Sequence, residues 1–329
     1  MIVSKTPLRV SFAGGGTDLP SFYNDNGFGA VLSTCIDSYI YVSLKPHTSL
    51  FKERIRLNYS ETEMVNRVDD IRNSIIRECL RFHNIDERIY ISTVADAPAM
   101  SGLGSSSAFC VGLLNALCKY KGEATSPGRL AAEAAHIEID VLKRPVGKQD
   151  HYAAAFGGLN YFVFQSDRTV TVKPIIVSNA QSADLFDSLI SFWTKETRGS
   201  ESVLAEQEIN TKRNAETLLA MRQQADMLVN VLYNGFSVEK FAAIVHEGWR
   251  LKRSLASKIS STAIDTYYEL AMRNGAYGGK ISGAGGGGFL NLLAPVASHP
   301  RITEALCGLG LLPYKFNYEA RGTAVMRFD

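Results

Sequence analysis

Glycine is packed into three short stretches, Gly14-Gly15-Gly16, Gly102-Leu103-Gly104 and Gly283 to Gly288, and no ordinary helix or strand runs through such stretches. Each must be a point where the backbone takes positive φ or comes close to a ligand or another loop. They lie near the start, about a third of the way along and near the end. A fold that uses all three must therefore gather distant backbone loops.

The rest of the chain supplies a scaffold for such loops. Apolar residues make up 46% and charged residues 21% of the 329 residues, which excludes a disordered chain. At roughly 150 residues per domain, two domains are expected. The formal charge of +2, with both signs scattered, provides no basic face for nucleic acid. The longest nearly apolar run, residues 109–118, is half the length of a spanning helix of about 20 residues, so no membrane partner is expected. MIVSKTPLRV has no charged-then-apolar signal pattern, and the expected compartment is the cytoplasm. Five cysteines without a C-x-x-C pair read as reduced thiols, and six histidines without an i, i+4 pair present no zinc motif.

Periodicity predicts strands at 8–12, 30–32, 39–44 and 89–94, and a helix over 69–83. Residues 105–121 read as a buried helix stopped by Gly122. Ser126-Pro127 opens another that runs to about residue 143, and 160–164 with 169–177 forms a hairpin. Helices follow within 202–233, 238–255 and 262–274, with strands at 189–193, 289–293 and 323–328 as the sheet they pack on. The pattern is α+β in two halves, divided between 165 and 182 and drawn here as 1–172 and 173–329.

Four segments carry chemistry. In 7–18 a strand runs into three glycines and presents Asp18, whose carboxylate can accept hydrogen bonds from sugar hydroxyls or cap the following turn. In 98–108 the sequence Gly102-Leu103-Gly104-Ser105-Ser106-Ser107 opens directly into the buried helix. Unpaired N–H groups and the helix dipole suit that spot to phosphate, and three serines exceed what a cap needs. A serine hydroxyl there can also ligate magnesium.

In 278–289, Gly283, Gly285 and Gly288 match the dinucleotide spacing G-x-G-x-x-G, but a helix precedes the loop, a strand follows it, and Gly308 and Leu309 stand where the acid should be. Lys280 is followed by Ile281, so no Walker A sequence exists either. In 145–152, Asp150 stands in a glycine-containing loop beside Lys148, where it can take a proton from a hydroxyl nucleophile. Glu133 and Asp140 share its neighbourhood and are not separated from it by chemistry alone.

In this order, the segments resemble the superfamily of galactokinase, homoserine kinase, mevalonate kinase and phosphomevalonate kinase, the GHMP kinases. The resemblance covers nearly the whole chain. It implies an N-terminal domain like ribosomal protein S5 domain 2, a ferredoxin-like C-terminal domain, and ATP with Mg²⁺ in the cleft between them. It further implies that Gly102, Leu103, Gly104, Ser105, Ser106 and Ser107 hold ATP phosphates, that Ser106 and Glu138 hold Mg²⁺, and that Asp150 and Arg9 are catalytic. Gly15, Gly16, Thr17, Asp18, Gly283 and Gly285, with Asp150, are the implied acceptor site.

Galactokinases carry Gly-Glu-His-Thr-Asp where this chain has Gly14-Gly15-Gly16-Thr17-Asp18. That departure, with residues 147–158 and 275–280, is most similar to bacterial D-glycero-D-manno-heptose 7-phosphate kinases. The resemblance implies phosphorylation of the anomeric hydroxyl to the 1,7-bisphosphate, for nucleotide-activated heptose and surface polysaccharide. A fucokinase- or galactokinase-like enzyme and a sugar- and ATP-binding regulator are the alternatives. The expected partner is a small-molecule sugar phosphate, and the expected assembly a homodimer. A phosphorylated acceptor needs a cation away from the ATP loop, and Arg198, beside Lys195 at a strand-to-helix junction, is the candidate, with Lys148 its rival.

Overall fold

The computed structural model describes residues 1–197 and 200–328. Along the first half run β1 (Ile2–Ala13), α1 (Pro20–Tyr23), β2 (Phe28–Pro46), β3 (Ile55–Asn58), β4 (Thr62–Val65), α2 (Ser74–Phe82) and β5 (Ile89–Ala95). Then come α3 (Ser105–Lys121), α4 (Pro127–Ala135), α5 (Gln149–Phe156), β6 (Leu159–Gln165) and β7 (Val170–Pro174). The strands make one sheet in the order β12-β1-β2-β5-β3-β4, where β12 is Ala324–Arg327 from the far end of the chain. β2 is long enough to serve two neighbours on one side: residues 40–46 pair with β5 and residues 28–34 with β6, which pairs in turn with β7.

α3 lies at the centre of this half. Every residue from Ser107 to Cys118 is buried, as expected of a helix that is apolar on all faces. It is covered by the sheet on one side and by α2, α4 and α5 on the others. Gly112 permits that approach, because a Cβ there would lie 2.5 Å from the Thr6 hydroxyl on β1. Gly122 ends the helix in the left-handed conformation.

The second half contains α6 (Asn179–Ser188), β8 (Leu189–Trp193), α7 (Ser200–Ile209), α8 (Ala215–Tyr233), α9 (Val238–Arg253) and α10 (Thr262–Arg273). β9 (Gly278–Ile281), β10 (Phe289–Leu293), α11 (His299–Gly308) and β11 (Leu312–Tyr314) follow. Here the sheet order is β11-β8-β10-β9, antiparallel throughout. α9 lies tightly on β9: a Cβ on Gly278 would be 2.3 Å from the carbonyl oxygen of Ala242. The α+β architecture matches the sequence reading, and no helix among the described residues is long and apolar enough to cross a membrane.

Several local expectations need correction. The strand expected near the C-terminus forms, but it pairs with β1 (Ile2 to Lys5 against Arg327 to Ala324) rather than joining the second sheet. A division at 172/173 therefore remains a proposal in which 324–327 belongs with the first layer. The strands expected at 30–32 and 39–44 are one strand, β2, kept in register with β1 across two irregularities. The helix expected from 69 starts at Ser74, because the Asn73 side chain caps it by accepting the Ile76 N–H at 3.1 Å. Asp150 does not sit in a loop but in the first turn of α5, where a carboxylate suits the helix dipole.

Candidate active site

β1 delivers the first functional side chain. Arg9 is buried, and its main-chain N–H donates to the Leu103 carbonyl at 3.1 Å, which ties β1 to the second glycine loop. Its guanidinium donates from Nε and Nη2 to the two carboxylate oxygens of Asp150, both at 2.7 Å, and from Nη1 to the Gly102 carbonyl at 2.5 Å. Gly104 makes room for the pair. A Cβ there would stand 3.2 Å from the Asp150 carboxyl carbon, and φ of +77° already favours glycine.

Gly104 is also the N-cap of α3, with no side-chain cap, so the first N–H groups of the helix open onto the cavity beside Ser105, Ser106 and Ser107. Behind them, Ser106 Oγ donates to Glu138 Oε1 at 2.5 Å. Glu138 lies on a π-helical turn, His136–Val141, and is fully buried. Burial alone would raise its pKa, but hydrogen bonds and charge from His151, then Ser106 and Ser107, outweigh this and lower it to about 2. His151 Nε2 lies 2.8 Å from Oε2, and Arg144 Nη1 donates to both Oε1 (3.0 Å) and Ser106 Oγ (2.9 Å).

The first glycine loop closes the other side of the cavity. Asp18 is buried and accepts the N–H groups of Gly16 (2.9 Å) and Gln149 (3.3 Å). Burial first and the Asp150 charge second raise its pKa. Gly147 packs so closely that a Cβ there would fall 1.9 Å from an Asp18 carboxylate oxygen. Gly15, Gly16 and Asp18 line the cavity; Thr17 does not, since its hydroxyl is bonded to the main chains of Gly14 and Ala30. Leu103 is likewise buried behind the loop.

The third loop is the backing of the second. Gly283 would place a Cβ 2.6 Å from Gly102 Cα, and Gly285 would place one 2.6 Å from the Ile259 carbonyl oxygen. Both glycines also line the cavity. The loop joins β9 to β10, strand to strand, so it opens no helix as a dinucleotide loop would.

Two rival carboxylates are placed elsewhere. Glu133 pairs with Arg129 at 2.7 Å, and Asp140 lies beside His136 at 3.1 Å; neither lines the cavity. Lys148 is away from it too, donating to the Arg168 carbonyl at 2.7 Å. Arg198 lies outside the described residues.

Four participants escaped the sequence reading: Arg144, His151, Gln207 and Lys252. Gln207 and Lys252 come from the second half, α7 and α9, and both line the cavity. Gln207 is buried, and among the described residues its Nε2 has no hydrogen-bond partner, nor does the buried Oε1 of Gln149, whose residue lines the same cavity. One signal existed for Lys252. It continues the apolar stripe Phe241, Val245, Trp249, a position where a lysine is out of place unless it is used.

Comparison with known proteins gives a consistent picture. The family models described as GHMP kinases N terminal domain and GHMP kinases C terminal match residues 71–158 and 234–308. The chain is 30% identical to the D-glycero-alpha-D-manno-heptose 7-phosphate kinase of Campylobacter jejuni, covering 93% of each chain. It is 29% identical to a mevalonate kinase of Methanothermobacter thermautotrophicus, covering 65% of this chain and 67% of that one. Among solved structures, a D-glycero-D-manno-heptose 1-phosphate kinase from Bacteroides thetaiotaomicron superposes with a TM-score of 0.82 at 26% identity over the whole of both chains.

Proposed function

We propose, from the premise that the chain belongs to the GHMP kinase family and is a phosphotransferase acting on an alcohol group, that its acceptor is D-glycero-D-manno-heptose 7-phosphate. ATP is the donor, the anomeric hydroxyl is the site, and the product is the 1,7-bisphosphate, made in the cytoplasm for nucleotide-activated heptose and surface polysaccharide. The observation that carries the reading is the Asp150 carboxylate, clamped by Arg9 against the Gly102–Ser107 loop and sharing its cavity with Asp18. The name of the Campylobacter jejuni relative supports the choice of sugar.

The chemistry follows from placement. The anomeric oxygen attacks the γ-phosphorus, the bond to the β,γ-bridging oxygen breaks, and ADP leaves with that electron pair. Asp150 orients the hydroxyl and takes its proton, and Asp18 holds a neighbouring hydroxyl. The first N–H groups of α3 bind phosphate oxygens where negative charge is concentrated. Ser106 and the ionised, buried Glu138 form a hard-oxygen pair that fits Mg²⁺, and these two residues would hold it. Bound there, it supplies charge neutralisation for the β- and γ-phosphates.

The test is ADP release from ATP with purified protein and a panel of heptose 7-phosphate, heptose 1-phosphate, fucose, galactose and mevalonate. Heptose 7-phosphate should support turnover, with a new anomeric phosphate in the ³¹P spectrum. Turnover on an unphosphorylated sugar alone would replace the proposed acceptor. Binding of sugar and ATP without ADP release would indicate a regulator instead.

A further inference from the structure

Arg9, which the resemblance makes catalytic, lines the cavity but spends three of its five donors inside the protein. One donor on each of its three nitrogens is taken, two by Asp150 and one by Gly102. A second cation faces the same cavity. Lys252 arrives from the last turn of α9 with only 5% of its surface exposed. Its ammonium donates to the Gly283 carbonyl of the third loop, and a Cβ on Gly15 of the first loop would stand 4.0 Å from it. Among the described residues that carbonyl is its one hydrogen-bond partner, although an ammonium carries three donors.

A buried ammonium with unspent donors is costly unless an anion completes it. The charged groups facing it come from every wall: Arg9 from β1, Asp18 from the loop after β1, Asp150 from α5 and Lys280 from β9. Asp18 and Asp150 are already bonded to other partners, and neither is ion-paired to Lys252. Lys280 is buried as well but does not line the cavity. We propose that Lys252 is a catalytic residue, whose ammonium contacts the phosphoryl group as it passes from ATP to the acceptor oxygen. It adds positive charge where the equatorial phosphate oxygens need it and leaves Arg9 free to position Asp150. No new bond is added to the reaction described above.

Burial, and then the neighbouring Arg9, lower the Lys252 pKa to about 8, against the opposing pull of Asp18 and Asp150. The contact therefore has a pH signature. In the free enzyme the charged form is lost as pH rises through about 8, and kcat/KM should fall with it.

The inference rests on the phosphotransferase reading and not on the identity of the sugar, so the test uses whichever acceptor releases most ADP with the wild-type protein. If no acceptor does, the function proposed above fails before this inference is reached. Lys252→Met should lower kcat by about 10²–10³-fold, the usual effect of losing one preorganised charge donor, with KM for ATP and acceptor changed only a few-fold. Lys252→Arg keeps its charge up to about pH 12 and should retain part of the rate while losing the alkaline fall of kcat/KM. Thermal melting and ATP binding confirm that each variant is folded. A folded Lys252→Met with kcat within threefold of wild type would overturn the proposal. So would a raised acceptor KM at unchanged kcat, or an alkaline fall that persists in Lys252→Arg. If Lys252→Met fails to fold, the Lys252→Arg pH profile decides alone.

Discussion

Arg9 and Asp150, 141 positions apart, meet in a two-toothed ion pair with both N–O distances at 2.7 Å. β1 supplies one partner and the first turn of α5 the other, and Gly104 at the head of α3 leaves the space in which they join. The pair fixes the carboxylate at the cavity wall beside Gly102, Gly104 and the head of α3.

Asp150→Asn should fold and bind ATP yet turn over about 10²–10⁴ times more slowly, the usual effect of removing a positioned acid or base. Steady-state kinetics on a variant with a normal melting temperature checks this. A kcat near wild type would remove Asp150 from the mechanism.

Arg9→Met should cost about 1–3 kcal/mol of stability, because it leaves a half-buried carboxylate without its partner. Combining it with Asp150→Asn should cost less than the sum of the two, since each change removes the same contact. Denaturant unfolding of the four proteins measures the coupling. Strict additivity would mean that the pair contributes nothing to folding.

Gly147→Ala would set a methyl group against the Asp18 carboxylate, 1.9 Å from Oδ2 before relaxation. The carboxylate must shift, so acceptor KM should rise several-fold while KM for ATP stays put. Equal effects on both substrates would place Asp18 outside the acceptor site.

Glu138→Gln should raise the Mg²⁺ concentration for half-maximal rate, whereas Glu133→Gln should not, because Glu133 is paired with Arg129 away from the cavity. The same residue predicts a pH effect. Its pKa is lowered from 4.5 to about 2, so its stabilising contribution is fully present above pH 4.5 and is lost as pH falls toward 2. Glu138→Gln should therefore have a shallower loss of stability across that range than wild type. Identical acid-unfolding slopes would contradict the hydrogen-bonded carboxylate.

Much of the scaffold was legible from short-range signals. Ser126 before Pro127 marked the start of α4, Gly122 the end of α3, and the unbroken apolar run of α3 its burial on all sides. The three glycine clusters marked the loops that meet at the cavity, and Asp18, Ser106, Glu138 and Asp150 all stand in or directly behind it. The start of α5 was missed because Gly147-Lys148 looks like a turn and carries no side-chain cap.

What the sequence determined alone is everything encoded within a few residues: caps, periodicity, and backbone that only glycine tolerates. Tertiary structure decided which distant groups face one another. It placed β12 beside β1 rather than in the second sheet, set Asp150 at the cavity and Glu138 behind Ser106 while leaving Glu133 and Asp140 away from it, tied Lys148 to the hairpin, and turned Lys252 from the apolar stripe of α9 into the cavity. The physical reason is that burial and pairing energies belong to contacts between segments. A lysine on a helix or a carboxylate after one has the same local signature whether it meets water, a salt bridge or a phosphate.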